Sequence, residues 1–434
     1  MLFRNVAAWD APAAAGIEGD MASGNIVIVG GGLAGATAAK TLRAEGYDGP
    51  VVLLAEEDHP PYLRPPLSKD YLLGRAGDDA LPVVPDGWYE DNGVELRLGA
   101  AAAAVDPEAR RVTLGDGQGL DYSSLLLATG ARPRRIPVPG SDLDGVSTFR
   151  TADDSRRLRE GLAGGGRNVV MIGSGWIGLE LAAAASTYGN RVTLLGLEQV
   201  PLEAAVGREL GGFFRSLHED HGVRFRLPAS AAAIKGQSGR VTAVETDAGE
   251  VLPADLVIIA VGVIPEVALA DAAGIALRNG ILTDASLRTS APGVFAAGDV
   301  ANALHPYTGE HHRSEHWANA LAGGKVAAKA MLGLEAALDA VPYFYTDQFD
   351  VSMEYSGFAS LASGPPTLRG SFEAREFLAF WQREGRVVAG MSVNWPRSAK
   401  PQQTIKKLIA AGTAVSPADL ADPGVPLSGL VPAA

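Results

Sequence analysis

The chain has no cysteine among its 434 residues. Disulfides, thiolate-ligated iron–sulfur clusters and thiol redox relays are therefore excluded outright. Long apolar runs are just as scarce. The longest, residues 256–264, lies between Asp255 and Pro265 and falls well short of the roughly 20 residues needed to cross a bilayer. No membrane span is expected. Positive charge is in deficit, with 37 Lys and Arg against 50 Asp and Glu and a formal net charge of −13, which opposes a phosphate-binding, nucleic-acid footprint. Residues 1–24 lack the basic start, apolar centre and cleavage pattern of a secretory signal. Residues 1–20 read as an extension, or as sequence upstream of a natural start at Met21, and a cytoplasmic protein is expected.

What is present is ordinary for a packed globular chain: 47% hydrophobic and 20% charged residues, with length enough for two or three domains. No low-complexity linker separates them. Residues 25–29 read as a buried parallel strand running into Gly30-Gly31-Gly32-Leu33-Ala34-Gly35. An alanine-rich helix to about Arg43 follows, then a strand at 51–55 that ends in Glu56-Glu57. The same order recurs: strand 168–172, turn Gly173-Ser174-Gly175-Trp176-Ile177-Gly178, helix 179–188, strand 191–195. The chain thus reads as α/β, with two Rossmann-like dinucleotide-binding halves. Between them, residues 121–127 lead into Ala128-Thr129-Gly130-Ala131-Arg132-Pro133, a strand and a turn-rich crossover. Short strands are expected at 256–261 and 293–297. From about Val341, aromatic-rich alternating strands (377–382, 387–394) predict a small α+β domain.

The glycines have mechanical reasons. Gly30 permits the tight turn, Gly32 lets backbone approach a pyrophosphate, and Gly35 lets the helix pack on the strand with its N-terminus aimed at the phosphates. Gly173, Gly175 and Gly178 repeat the set. Glu56 stands where an acid closing the second strand binds an adenosine ribose, the alternative being a solvated surface carboxylate. In the second half that place is Gly196, with Glu198 two residues on. No Arg or Lys lies between Leu194 and Glu203 to meet a 2′-phosphate, so NADH is expected over NADPH.

The run Tyr62-Leu63-Arg64-Pro65-Pro66-Leu67-Ser68-Lys69 resembles the signature of the NADH:ferredoxin reductases of oxygenase systems, relatives of putidaredoxin reductase and apoptosis-inducing factor. The resemblance continues through Ala128-Thr129-Gly130, the glycine run ending at Glu180, and Phe295-Ala296-Ala297-Gly298-Asp299-Val300. It extends to Glu315-His316-Trp317-Ala318-Asn319-Ala320 and Pro342-Tyr343-Phe344-Tyr345-Thr346-Asp347-Gln348, covering nearly everything from residue 25 onward.

The resemblance implies a glutathione-reductase-like fold with a discontinuous FAD domain (25–131 and 263–340), an NAD(P)H domain (132–262) and a C-terminal domain (341–434) after an N-terminal extension (1–24). Asp299 would bind the flavin ribityl or phosphate region. Lys69 would lie beside the flavin N5 edge, paired with Glu180, although an exposed helix cap is the other reading of that lysine. Ala34, Arg64, Val105, Arg132 and Arg150 fall at flavin-contacting positions, as do Glu315 and His316. Trp317 falls on the segment along the isoalloxazine, and Tyr345 where many relatives carry a tryptophan; for these two, core packing stays open.

Without a cysteine pair, electrons must leave the flavin directly. The expected acceptor is a ferredoxin-like iron–sulfur protein serving an oxygenase. The alternatives are an apoptosis-inducing-factor-like NAD(H) switch and a reductase of quinones or ascorbate radical. Because such a carrier is usually acidic, a basic patch is expected among Arg132, Arg134, Arg135, Arg397, Lys400, Lys406 and Lys407. The protein would be a monomer or homodimer. His312-Arg313-Ser314-Glu315-His316 fits an H-x-x-E-H zinc pattern, but it coincides with the flavin motif, so no metal is expected. His59, His218, His221 and His305 are scattered and read as surface or capping residues.

Overall fold

The computed structural model describes residues 24–432. The expected N-terminal extension and the alternative start at Met21 lie outside the described residues. Two compact units emerge, and the chain passes between them more than once.

The first unit gathers the described residues up to Leu63, Leu81–Ala131 and Pro265–Ala340. Its centre is a parallel sheet in the order Val294–Ala296, Ser124–Leu127, Ile26–Val29, Val51–Leu54, Val94–Arg97. Ile26–Val29, Val51–Leu54 and Ser124–Leu127 are buried at every position because both faces are covered. Ile26, Ile28 and Leu53 point to one side, against Ala38 of helix Leu33–Ala44 and Ala327 of helix Trp317–Met331. Val27, Val29 and Leu54 point to the other, against Val105 and Val112 of an antiparallel three-stranded sheet. Fully burying each Ile or Leu contributes roughly 1.5–3 kcal/mol before ordering entropy is deducted. The two helices approach closely because their facing residues are small. A Cβ on Gly324 would lie 2.4 Å from the Ala34 carbonyl oxygen.

The second unit gathers Arg64–Ala80, Arg132–Ile264 and the chain from Val341 onward. Its parallel sheet runs Arg224–Arg226, Arg191–Leu195, Asn168–Ile172, Leu256–Ile259, Val146–Thr148. The sequence reading begins the helix at 179, yet it starts at Trp176, inside the glycine run. Gly175 is its N-cap and Gly178 is already helical, so close packing rather than a loop explains that third glycine. The C-terminal strands form an antiparallel sheet, Tyr343–Gln348, Val351–Gly357, Arg386–Val393, Glu376–Arg383, Thr367–Ser371. Glu376–Arg383 and Arg386–Val393 do not show the apolar–polar alternation that the sequence suggested, being buried at nearly every position. In Glu376–Arg383, Phe377 and Trp381 enter the core around Phe213 and Phe214, while Leu378 and Phe380 pack under helix Pro401–Ala411. Both faces are covered. No helix among the described residues is long and apolar enough to cross a membrane.

Candidate functional site

In the first unit the C-terminal ends of four parallel strands bring the motif residues to one edge. Asp299 follows Val294–Ala296, Ala128-Thr129-Gly130 follows Ser124–Leu127, the glycine turn follows Ile26–Val29, and Glu56 follows Val51–Leu54. This is where ligands bind on such sheets. Gly30 has φ +125°, and a Cβ there would lie 2.1 Å from the Ala128 carbonyl oxygen, so only glycine fits. A Cβ on Gly35 would lie 2.2 Å from the Gly30 carbonyl oxygen, which holds the helix against the strand. Gly32 differs: it is the N-cap of Leu33–Ala44, no side chain caps the helix, and open space lies in front of it.

The second unit repeats this geometry. Gly173 has φ +118° with a Cβ position 2.2 Å from the Ala260 carbonyl oxygen, Gly178 would press 2.1 Å from the Gly173 carbonyl oxygen, and Gly175 faces open space at an uncapped helix start. Unpaired first-turn N–H groups plus the positive end of a helix dipole make an anion cradle. Both turns therefore fit the pyrophosphate of a dinucleotide.

Other predicted residues of the first unit are placed as follows. Glu56 is exposed and makes no hydrogen bond or ion pair among the described residues. Ala34 is buried, with Gly298 close beside it, and Val105 is buried in the apolar cluster under the sheet. Trp317 is 37% exposed at the start of its helix, so it is not a core residue. Glu315 pairs with Arg313 at 2.7 Å, and Arg313 also donates to the Asp299 carbonyl oxygen at 3.2 Å. Burial pushes His316 down to about 4, against the opposing pull of Asp299. His312 bonds Thr308 at 2.7 Å, and among the described residues no group of three or more His, Cys, Asp and Glu could hold a metal ion.

In the second unit Lys69 and Glu180 form an ion pair of 2.8 Å, with side chains 12% and 3% exposed. Lys69 is therefore not an exposed cap. Its ammonium lies 5.4 Å from the centre of the Tyr345 ring, which brings three predicted residues together. Glu180 is further held by two hydroxyls that the sequence reading missed: Thr346 donates to Oε1 at 2.6 Å and Ser68 to Oε2. Both lie inside the quoted motifs, but nothing in their spacing shows where their hydroxyls point. Arg64 donates to the Arg150 carbonyl oxygen at 2.8 Å, and the Arg150 N–H donates to Asp154 at 2.9 Å, which joins those two predicted residues through the start of helix Ala152–Leu162.

Gly196 has a packing cause. A side chain there would meet Ser174 Oγ at 2.4 Å, so the acid expected after the strand has no room. Glu198 instead accepts the backbone N–H groups of Glu203 and Ala204 at 3.0 and 2.9 Å, acting as a helix cap. Arg208 is engaged by Glu203 at 2.6 Å. Leu197, between Gly196 and Glu198, is 78% exposed.

Two readings of the histidines are corrected. His218 is fully buried beside the Phe225 and Phe349 rings and bonded to Gln348 at 2.9 Å, and His305 is buried with Nδ1 accepting the Tyr307 N–H at 3.2 Å and Nε2 near the Ala340 carbonyl oxygen at 3.3 Å, so neither faces water. Of the expected basic patch, Arg132, Arg134, Arg135, Arg397, Lys400 and Lys407 are exposed. Lys406 is not among them. It is partly buried 4.5 Å over the Tyr343 ring, and that burial lowers its pKa.

Residues 24–324 match the family described as pyridine nucleotide-disulphide oxidoreductase, and residues 343–431 match the reductase C-terminal family. The chain belongs to the pyridine nucleotide-disulphide oxidoreductases. It is 39% identical to the ferredoxin–NAD(+) reductase component of the anthranilate 1,2-dioxygenase system of Burkholderia cepacia, over 94% of this chain and 99% of that protein. Among solved structures it resembles a ferredoxin reductase from Rhodopseudomonas palustris, with a TM-score of 0.90 and 34% identity over 94% of this chain and 100% of that one. The covalent putidaredoxin reductase–putidaredoxin complex matches with a TM-score of 0.90 and 34% identity over 94% and 98%. Membership implies a flavin and a pyridine nucleotide, the two ligands that two glycine turns can accommodate. The disulphide of the family's description has no counterpart here, since the chain has no cysteine.

Proposed function

We propose that this protein passes electrons from NADH, through FAD, to a ferredoxin-like iron–sulfur protein that serves an oxygenase. The observation that carries the reading is the likeness over nearly the whole chain to a ferredoxin–NAD(+) reductase component, in a protein with two glycine turns and no redox thiol. FAD supplies the conversion between a two-electron hydride donor and a one-electron acceptor.

The division of labour follows the motifs. Residues 25–131 and 263–340 bind FAD, with Gly30, Gly32 and Gly35 admitting the pyrophosphate and Glu56 and Asp299 accepting from its hydroxyls. Residues 132–262 bind NADH through Gly173, Gly175 and Gly178, and the C-terminal sheet from Val341 onward completes the same compact unit. Lys69, steadied by Glu180, supplies positive charge to the flavin's reactive edge, and Arg64 and Arg150 add further donors. NADH is favoured over NADPH because Arg208, a nearby cation, is already paired with Glu203. The cytoplasm, where the NADH pool lies, is the proposed site of action.

The test is turnover. The purified protein should be yellow, release one FAD on denaturation, and reduce a [2Fe–2S] ferredoxin with NADH at a higher kcat/KM than with NADPH. A colourless protein that FAD cannot reconstitute would overturn the reading. So would slow turnover with every acceptor together with reduced flavin that is stable in air, the behaviour of a switch protein.

A further inference from the structure

Behind the Lys69–Glu180 pair runs a line of buried polar side chains that the reading above leaves unused. Thr346 Oγ1 donates to Glu180 Oε1 at 2.6 Å, Gln348 Nε2 donates to Thr346 Oγ1 at 3.1 Å, and His218 Nε2 meets Gln348 Oε1 at 2.9 Å. All four residues are at most 4% exposed, and they come from two helices and one strand of the second unit.

The direction of this line follows from Glu180 alone. An ionised carboxylate paired with a lysine can only accept. Thr346 has a single hydroxyl hydrogen, so it gives that hydrogen to Glu180 and must accept from Gln348. Gln348 then presents its NH2 to Thr346 and its carbonyl to His218. His218 must therefore carry its hydrogen on Nε2, leaving Nδ1 as the unprotonated nitrogen. Nδ1 is buried and makes no hydrogen bond among the described residues, so a proton placed there would have no acceptor.

We propose that Thr346, Gln348 and His218 form a one-way donor chain that positions the Glu180 carboxylate, and through it the Lys69 ammonium, for the flavin reaction. They are positioning residues. The inference rests on the reading of Lys69 given above, but its structural half can be measured without turnover.

The chain is tested on the FAD-loaded protein labelled with 15N-histidine, the His218 signals being assigned by their loss in His218→Gln. The expected result is neutral His218 with its hydrogen on Nε2, in the wild type and in Thr346→Ser, which keeps the hydroxyl. A hydrogen on Nδ1 overturns the chain whatever the kinetics show.

The positioning role is tested by rapid-mixing measurement of flavin bleaching by NADH in Thr346→Val, Lys69→Ala and the double variant. Removing a hydrogen bond to a charged group should slow bleaching about tenfold in Thr346→Val. FAD content should stay at one per chain, and Thr346→Ser should restore the rate. In the Lys69→Ala background Thr346→Val should have no further effect, since nothing is left for Glu180 to position. Equal slowing in both backgrounds, or none in either, overturns the positioning role. Should Lys69→Ala alone bleach as fast as wild type, the reading of Lys69 falls and the kinetic role falls with it. If Thr346→Val does not fold, Gln348→Met, which breaks the chain one link further from Glu180, takes its place with the same expected outcomes at a smaller amplitude.

Discussion

Glu180 accepts from Lys69, Ser68 and Thr346 at once, so its removal strands three donors, one of them charged, in a site that water barely reaches. Glu180→Ala should lower unfolding free energy by about 3–5 kcal/mol, the usual cost of breaking a buried pair from one side. Urea denaturation of the variant measures it, and a loss below about 1 kcal/mol, the scale of an exposed pair, would contradict the burial. His218 gives a pH effect with a definite sign. Its folded pKa is pushed down to about 4 by burial, while the unfolded side chain titrates near about 6.5. Above about 6.5 both states are neutral and the group contributes nothing. As pH falls from there toward 4 only the unfolded chain takes the proton, so stability is lost, by roughly 3 kcal/mol at the end of the window. Stability measured between those pH values should fall less steeply in His218→Gln. At this scale the sequence shows residue types but not partners. Lys69 and Glu180 can be paired through their motifs, whereas His218 reads as a surface or capping residue, because a single histidine in a helix carries no mark of which face it occupies.

At the scale of elements, the two glycine turns are the most legible features, because Gly30 and Gly173 answer a positive φ, Gly35 and Gly178 answer close helix packing, and Gly32 and Gly175 leave the space in front of the helix start open. The same geometry separates their roles. Gly178→Ala puts a methyl 2.1 Å from the Gly173 carbonyl oxygen and must push the helix off its strand, so it should destabilise by about 1–3 kcal/mol. Gly175→Ala meets nothing in the protein and has an extended backbone that alanine adopts freely. It should fold normally but weaken NADH binding about tenfold or more, by occupying the space where donors face a phosphate. Thermal unfolding and NADH titration of both variants distinguish fold from binding, and the reverse pattern would refute the assignment. Less legible was the C-terminal sheet, where the sequence suggested alternation. Its central strands are buried on both faces, and that depends on helix Pro401–Ala411 covering one of them. No local pattern announces such a cover.

At the scale of the whole molecule, a net charge of −13 should repel an acidic electron carrier unless the exposed cations at Arg397, Lys400 and Lys407, or at Arg132, Arg134 and Arg135, are grouped where it docks. The salt dependence of ferredoxin reduction decides between these by sign. A rate that falls with ionic strength supports docking on the cations, and Arg397→Ala with Lys400→Ala and Lys407→Ala should then raise the KM for ferredoxin; a rate that rises with salt would refute it. The order of motifs foretold the architecture because each half carries its own strand, glycine turn, helix and second strand, although the second half lacks the closing acid. The hydrogen bonds that converge on Glu180, from Ser68 and from Thr346 backed by Gln348, were invisible because their members are up to 280 residues apart in the chain and meet only after folding.

The bare exposure of Leu197 beside the second glycine turn has a practical use. In a chain free of thiols, Leu197→Cys would be the sole site for a thiol-reactive dye. A polarity-sensitive fluorophore fixed there would stand at the rim of the half proposed to bind NADH, and its emission should change as nucleotide arrives. That signal would time coenzyme capture separately from the colour change of the flavin.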